Sequence, residues 1–234
     1  MPVAFICAMP MELAPLKRKL RLQKTRVGSL DIYRGVCGER SVVGIVTGMG
    51  TALAAEKLGM LLGAVDVERV VVIGITGAVH GDAPIGSLVL PAVVVNSTTG
   101  DEYQPHPLGG GPAEGKMWTS DTLITDLEVL AGLRNDGVVC LDMETAAIAE
   151  ICEREGIPWS VFRTVSDRAT DGILDEEVFR LGNRDGSPNV KAVAAYMARH
   201  PGRLPALARM AKDVKRATES AAEAAIAAVS RPDR

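Results

Sequence analysis

Apolar residues along this chain come in short, mostly unbroken runs rather than in strict alternation. Residues 3–8 (VAFICA), 41–47 (SVVGIVT), 67–73 (VERVVVI), 138–141 (VVCL) and 159–165 (WSVFRTV) are the clearest. Runs of this kind are expected of strands covered on both faces. Between them the spacing becomes helical, over 13–20, over 52–62 and after Asp142. In that last stretch Ala146, Ala147, Ile148, Ile151 and Cys152 recur at helical spacing, leaving Glu144, Glu150, Glu153 and Arg154 for other faces. Asp142 offers a side-chain oxygen to cap the helix, and Gly156 and Pro158 end it in the usual order. Strands alternating with helices predict an α/β fold, a single domain with a mixed central β-sheet flanked by helices.

The remaining segments fill in around this frame. Residues 26–33 and 34–37 read as a hairpin-like pair around Asp31, and 85–95 (IGSLVLPAVVV) as strand-like, broken by Pro91. Residues 96–117 are polar and rich in Gly and Pro, which predicts a loop at the edge of a site. A short helix is expected around 123–133. After Asp171 a helix is expected over 174–181, a loop over 182–189, and two Ala-rich helices over 190–199 and 204–229, divided by His200-Pro201-Gly202. With no internal repeat and no linker, residues 1–234 read as one domain, with 172–234 a helical C-terminal extension packed on it.

Composition narrows the classes. The chain has 234 residues, 47% of them hydrophobic but only 3% aromatic, so Val, Ile, Leu and Ala must build the core. A formal net charge of -3 gives no electrostatic case for nucleic acid. Cys7, Cys37, Cys140 and Cys152 are scattered without a CxxC pair, which points to a reducing cytoplasm. The first strand begins at once, with no basic stretch ahead of it, so no signal peptide is expected. No apolar run approaches the length of a membrane span. Lys191, Arg199, Arg203, Arg209, Lys212, Lys215 and Arg216 dot the C-terminal helices. They read as the solvated face of a covering helix or, alternatively, as a surface that meets anionic lipid.

The candidate chemistry is acidic. Glu12 follows the first strand, Glu144 the strand at 138–141, and Asp167 the strand at 159–165. In open α/β sheets ligands sit outside the carboxyl ends of the strands, so these acids are expected to share a crevice. Gly48-Met49-Gly50-Thr51 opens a helix, where free amides can face an anion or a water. As a dinucleotide fingerprint it fails, because Leu53 replaces the third Gly and no ribose-binding acid ends the next strand. His80, His106 and His200 lack metal-ligand spacing. Neither a cofactor nor a metal is expected.

The motifs together resemble the nucleoside phosphorylase/nucleosidase superfamily, and most closely its methylthioadenosine/S-adenosylhomocysteine nucleosidases. The matching pieces are CAMPMELAPL (7–16), TGMGTALAA (47–55), IGITGAVHGDAPIGSLVLP (73–91), LDMETAAIAEIC (141–152) and FRTVSDRATD (162–171), in family order. The resemblance implies cleavage of an N-glycosidic bond. It makes Asp167, beside Ser166, the acid that protonates or hydrogen-bonds purine N7. Glu144 would bind the ribose hydroxyls with Met143 against the sugar, and Glu12 would position the attacking water. Gly77 would lie beside the base, with Leu123 and Ile124 facing the purine. Met9, Met11, Met49 and Met143 either line an apolar pocket for a 5′ thioether or fill gaps in the core.

Hydrolysis and phosphorolysis are the two outcomes to separate. A phosphorylase holds phosphate with Arg, Ser or Thr and amides. The Met-Pro-Met-Glu turn after the first strand has no Arg, and Glu12 would repel phosphate. The turn at 48–51 and the pair Arg163 and Arg168 leave an anion site open. Hydrolysis of a 5′-modified purine nucleoside is the expected reaction. Phosphorolysis, a lipid-linked nucleoside substrate, and a nucleoside-binding protein without catalysis are the alternatives. The resemblance also implies a homodimer or higher homo-oligomer.

Overall fold

The structure is a computed structural model that describes residues 1–172, 176–183 and 185–231. The strands are β1 (Val3–Cys7), β2 (Gln23–Val27), β3 (Leu30–Cys37), β4 (Arg40–Val46), β5 (Arg69–Ala78), β6 (Leu88–Val89), β7 (Val93–Asn96), β8 (Glu102–Tyr103), β9 (Lys116–Thr119), β10 (Val138–Asp142) and β11 (Trp159–Arg168). Among the described residues they form one sheet, ordered β2-β3-β4-β1-β5-β10-β9-β7-β8, with β11 on the other edge of β5 and β6 beyond it. The sheet is mixed. β1 runs parallel to β4 and β5, β11 runs parallel to β5, and β10 runs antiparallel to β5.

Helices cover both faces. They are α1 (Pro10–Lys19), α2 (Thr51–Leu62), α3 (Leu127–Asn135), α4 (Thr145–Glu155), α5 (Glu176–Phe179), α6 (Val190–Arg199) and α7 (Leu204–Val229). Ala4 and Ile6 of β1 pack with Leu58 of α2 and Ile148 of α4, while Val3, Phe5 and Cys7 pack with Leu13 of α1 and Ala221 of α7. Each central strand thus buries both of its faces, which is why its sequence does not alternate.

Several local expectations shift. The hairpin turns at Gly28-Ser29, not at Asp31, which lies inside β3 opposite Arg26. Gly28 has φ 58°, the positive φ that a two-residue hairpin turn requires. The segment 96–117 is not all loop, because Glu102–Tyr103 pairs with β7 and Lys116 begins β9. The short helix begins at Leu127, where the Asp126 carboxylate accepts from the amides of Glu128 (2.8 Å) and Val129 (3.1 Å). Of the helix expected over 174–181, residues 174 and 175 lie outside the described residues; α5 is the part described.

The last helix is built from small side chains where it meets the sheet. Ala217, Ala221, Ala222 and Ala225 are fully buried against β5, β11 and α1. The Thr164 hydroxyl of β11 donates to the Ala217 carbonyl at 2.6 Å. A larger side chain has no room at that contact. Ala221→Leu is therefore expected to cost about 1–3 kcal/mol of stability, read from the urea unfolding midpoint. An unchanged midpoint would mean that α7 does not pack this closely.

Candidate active site

The site forms where β5 changes neighbours. On one edge, β1 pairs with β5 as far as Ile6 opposite Val72. β10 takes over only at Gly77 and Ala78. Ile75 falls in the gap, and its backbone groups are satisfied by side chains instead. Its N–H donates to Glu12 Oε1 at 2.9 Å, and its carbonyl accepts from Arg163 Nη1 at 3.1 Å. A point where strands part at their carboxyl ends is the usual place for a ligand crevice.

Glu12 stands in the first turn of α1. Its other oxygen accepts from the Met9 amide at 2.8 Å, so the carboxylate is held at both ends. Burial raises its pKa, against the charge of Arg163 and the amides of Ile75, Met9 and Ala8. A Cβ at Gly74 would fall on the Glu12 carboxyl and the Arg163 guanidinium, so only glycine lets this pair reach the strand.

Arg163 is only 2% exposed and lies in the middle of β11. Nη2 donates to Asp142 at 2.6 Å, to Thr145 Oγ1 at 3.2 Å and to Glu144 at 3.4 Å, and Nη1 reaches Glu12 at 3.5 Å. Burial opposes its charge, but Asp142, Glu12 and Glu144 outweigh burial and raise its pKa, so it stays cationic. Asp142 also accepts from the hydroxyl of Thr119 at 2.6 Å, from the Thr145 amide at 2.9 Å and from the Thr145 hydroxyl. The N-cap of α4 is Glu144 rather than Asp142, which stands two residues ahead, takes the first amide of the helix and anchors the guanidinium as well. Sequence reasoning reads Arg163 only as a cation flanking Ser166-Asp167.

Glu144 closes the other side. Its Oε1 accepts from the Gly50 amide at 2.9 Å, at the start of α2. Burial, with Asp142 beside it, pushes its pKa up to about 8, against Arg163 and the Gly50 amide. The next amide, Thr51, donates to Asp121 at 2.8 Å, and the Thr51 hydroxyl does so at 2.6 Å. The anion that faces this helix start is therefore the chain's own pair of carboxylates.

Asp167 reaches the crevice through a bulge. The register of β11 on β5 slips between Val165 and Asp167, leaving Ser166 as the extra residue and setting Asp167 opposite Gly77. Bulges of this kind re-aim side chains beside active sites. Ser166 Oγ donates to Asp167 Oδ1 at 2.5 Å. Burial raises the Asp167 pKa, the Ser166 bond pulls it down, and Asp171 adds to the rise. Gly77 stands two residues beyond Ile75, about 7 Å along the strand. Glu12 thus meets β5 at Ile75, and Asp167 stands across from β5 at Gly77.

A cavity of about 790 Å³ opens over these groups. Its lining includes Asp167, Glu12, Glu144, Met143, Ser166, Gly77, Met9, Leu123, Ile124 and Met49, every residue the sequence nominated. The sequence did not nominate the opposite wall, formed by α6 and the first half of α7. The signal was there, since Leu204, Leu207, Ala211 and Val214 stand three and four residues apart.

The chain belongs to the Phosphorylase superfamily, whose family model matches residues 2–125 and 112–200. A 5′-methylthioadenosine/S-adenosylhomocysteine nucleosidase of Bacillus cereus is 24% identical over 200 residues, spanning 72% of this chain and 87% of the relative. Two solved structures share the fold at a TM-score of 0.74. One is the 5′-methylthioadenosine/S-adenosylhomocysteine nucleosidase of Neisseria meningitidis in complex with methylthio-immucillin-A, 18% identical, covering 98% of both chains. The other is the futalosine hydrolase of Helicobacter pylori, 15% identical, covering 98% of this chain and 97% of its own. The likeness takes in the helices that follow Asp171.

Removing the central cation tests the cluster. Arg163→Met leaves Glu12, Asp142 and Glu144 without their shared partner, and is expected to cost about 3–5 kcal/mol at pH 7. Without Arg163 the folded-state pKa values of Glu12 and Glu144 rise further above their unfolded values. The penalty therefore grows as pH rises through the parent's own raised folded-state values, that of Glu144 at about 8, and shrinks below them. Denaturant unfolding at pH 6 and pH 9 reads both effects. A variant as stable as the parent at pH 7 contradicts this picture.

Proposed function

We propose that the chain hydrolyses the N-glycosidic bond of a purine nucleoside modified at its 5′ position, releasing free base without phosphate. The observation that carries this reading is that, among the described residues, the arginines and the helix-start amides that could hold phosphate at the site are already committed to other groups of the chain. Arg163 is shared by Glu12, Asp142 and Glu144. The Gly50 and Thr51 amides are taken by Glu144 and Asp121. Arg168 donates to the Ala83 carbonyl and faces Asp171. Phosphate entering here would meet Glu12 instead of a cation. The names of the relatives, nucleosidases and a hydrolase, agree with this reading.

The roles follow from the chemistry of bond cleavage. As the bond between sugar and base breaks, the sugar gains positive charge and the base negative charge. Asp167, its pKa raised by burial, hands a proton to purine N7 or shares one with it. Glu144 hydrogen-bonds the ribose hydroxyls, and once ionised, above its raised pKa of about 8, its charge favours the cationic sugar. Met143 packs on the sugar and Gly77 leaves space for the base, with Leu123 and Ile124 against its edge. Glu12, gripped by two amides and Arg163, takes the proton from the attacking water. Exposed Leu127 and Val129 on α3 suit the apolar contact of a homo-oligomer, which light scattering on the purified chain tests.

Two measurements test the reaction. Free base is expected in phosphate-free buffer at the same rate as in buffered phosphate; strict dependence on phosphate would make the enzyme a phosphorylase. Asp167→Asn is expected to lower kcat about 100- to 10,000-fold with the unfolding midpoint little changed. Because Asp167 works protonated, the parent's rate should fall as pH rises through its raised pKa. A variant that keeps both the rate and that alkaline fall removes Asp167 from the mechanism.

A further inference from the structure

Beyond the acids the cavity continues under α6 and α7. Val193 and Met197 of α6 and Leu204, Leu207, Met210 and Val214 of α7 form its far wall. The charged residues among its lining, Glu12, Asp142, Glu144, Arg163 and Asp167, all sit at the sheet end. The α7 stripe changes partner along its length. From Ala217 onward it is buried against the sheet, whereas Leu204, Leu207 and Val214 stay half-exposed toward the cavity. Met197 is 40% exposed and Met11 42%, and both line the same cavity.

We propose that this wall binds a large apolar 5′ substituent, so that the preferred substrate is a purine nucleoside carrying a hydrocarbon chain much longer than methylthio. The proposal rests on the hydrolase reading and names the substrate class for that same site. Size supports it: pockets for drug-sized ligands span about 300–1,000 Å³, and this one, at about 790 Å³, is roomier than a nucleoside with one methylthio group needs. Charge supports it too. A 5′ group ending in an ammonium and a carboxylate would lose its water against this wall with no ionic partner among the described lining residues. A hydrocarbon chain would instead cover the half-exposed stripe.

The test is kcat/KM for adenine release from 5′-alkylthio-5′-deoxyadenosines with methyl, butyl and octyl chains, with S-adenosylhomocysteine alongside. Burying a methylene is worth roughly a fourfold gain, so activity is expected to climb by about that factor per carbon over the first members. S-adenosylhomocysteine should fall below the methyl compound. Filling the wall with Ala208→Phe, or the mouth with Met197→Trp, should bring the octyl-to-methyl ratio close to one. Cleavage of the methyl compound with no gain from longer chains, or a preference for S-adenosylhomocysteine, overturns this proposal alone. Failure to release free base from any member, and from the matching 5′-alkylthio-5′-deoxyinosines, overturns the hydrolase reading, and this proposal with it.

Discussion

The site depends on one buried cation set in a gap of the sheet. β5 loses β1 after Val72 and gains β10 only at Gly77. Ile75, between them, would be left with an unpaired amide and carbonyl, which is costly in a dry interior. Glu12 and Arg163 supply the missing partners. A lone carboxylate or a lone guanidinium could not be kept there, since burying an unpaired charge costs more than a hydrogen bond returns. Placed together with Asp142 and Glu144, the one guanidinium offsets part of the charge of three carboxylates, burial raises the pKa of Glu12 and Glu144, and the cluster fixes the positions of two of the acids proposed for the reaction. Asp167 stands outside this cluster, hydrogen-bonded to a hydroxyl and with no cation partner among the described residues. That separation suits the proposed role of Asp167, since no opposite charge there holds its proton off.

The same arrangement ties fold to chemistry. Gly74 has no side chain because the Glu12–Arg163 contact occupies that space. The bulge at Ser166 costs one ladder register and turns Asp167 into the cavity. The start of α2, a natural seat for an anion, is filled from within by Glu144 and Asp121. α7 serves two purposes. Its alanine half locks onto β5 and β11, and its first half, rich in Leu, Met and Val, walls the cavity.

Much of this was legible in the sequence, and the reasons are physical. Central strands bury both faces, so their apolar runs stand out; β1, β10 and β11 begin where the runs begin. The helices at Val190–Arg199 and Leu204–Val229 were set by the proline and glycine between them. Glu12 and Glu144 were findable because each follows a strand within a recognisable motif; Asp167 was findable by its motif, although β11 runs on past the expected end at 165 and carries it inside the strand. Arg163 was misjudged because its partners come from residues 12, 142 and 144, and no local pattern announces a contact made across the sheet. Asp121 escaped for the same reason. β8 is two residues long and carries no periodicity. The apolar stripe of α7 was visible as a stripe, but the pattern is the same whether it faces a core or a cavity.

The account's central claim is that three acids distant in the sequence surround one sugar. A crystal structure of the chain with an adenine-bearing, iminoribitol-type analogue tests it most directly. The predicted result has purine N7 on Asp167, both ribose hydroxyls on Glu144, and a water between Glu12 and the anomeric position. A ligand seated away from these three side chains, or a bound phosphate in place of that water, would contradict it.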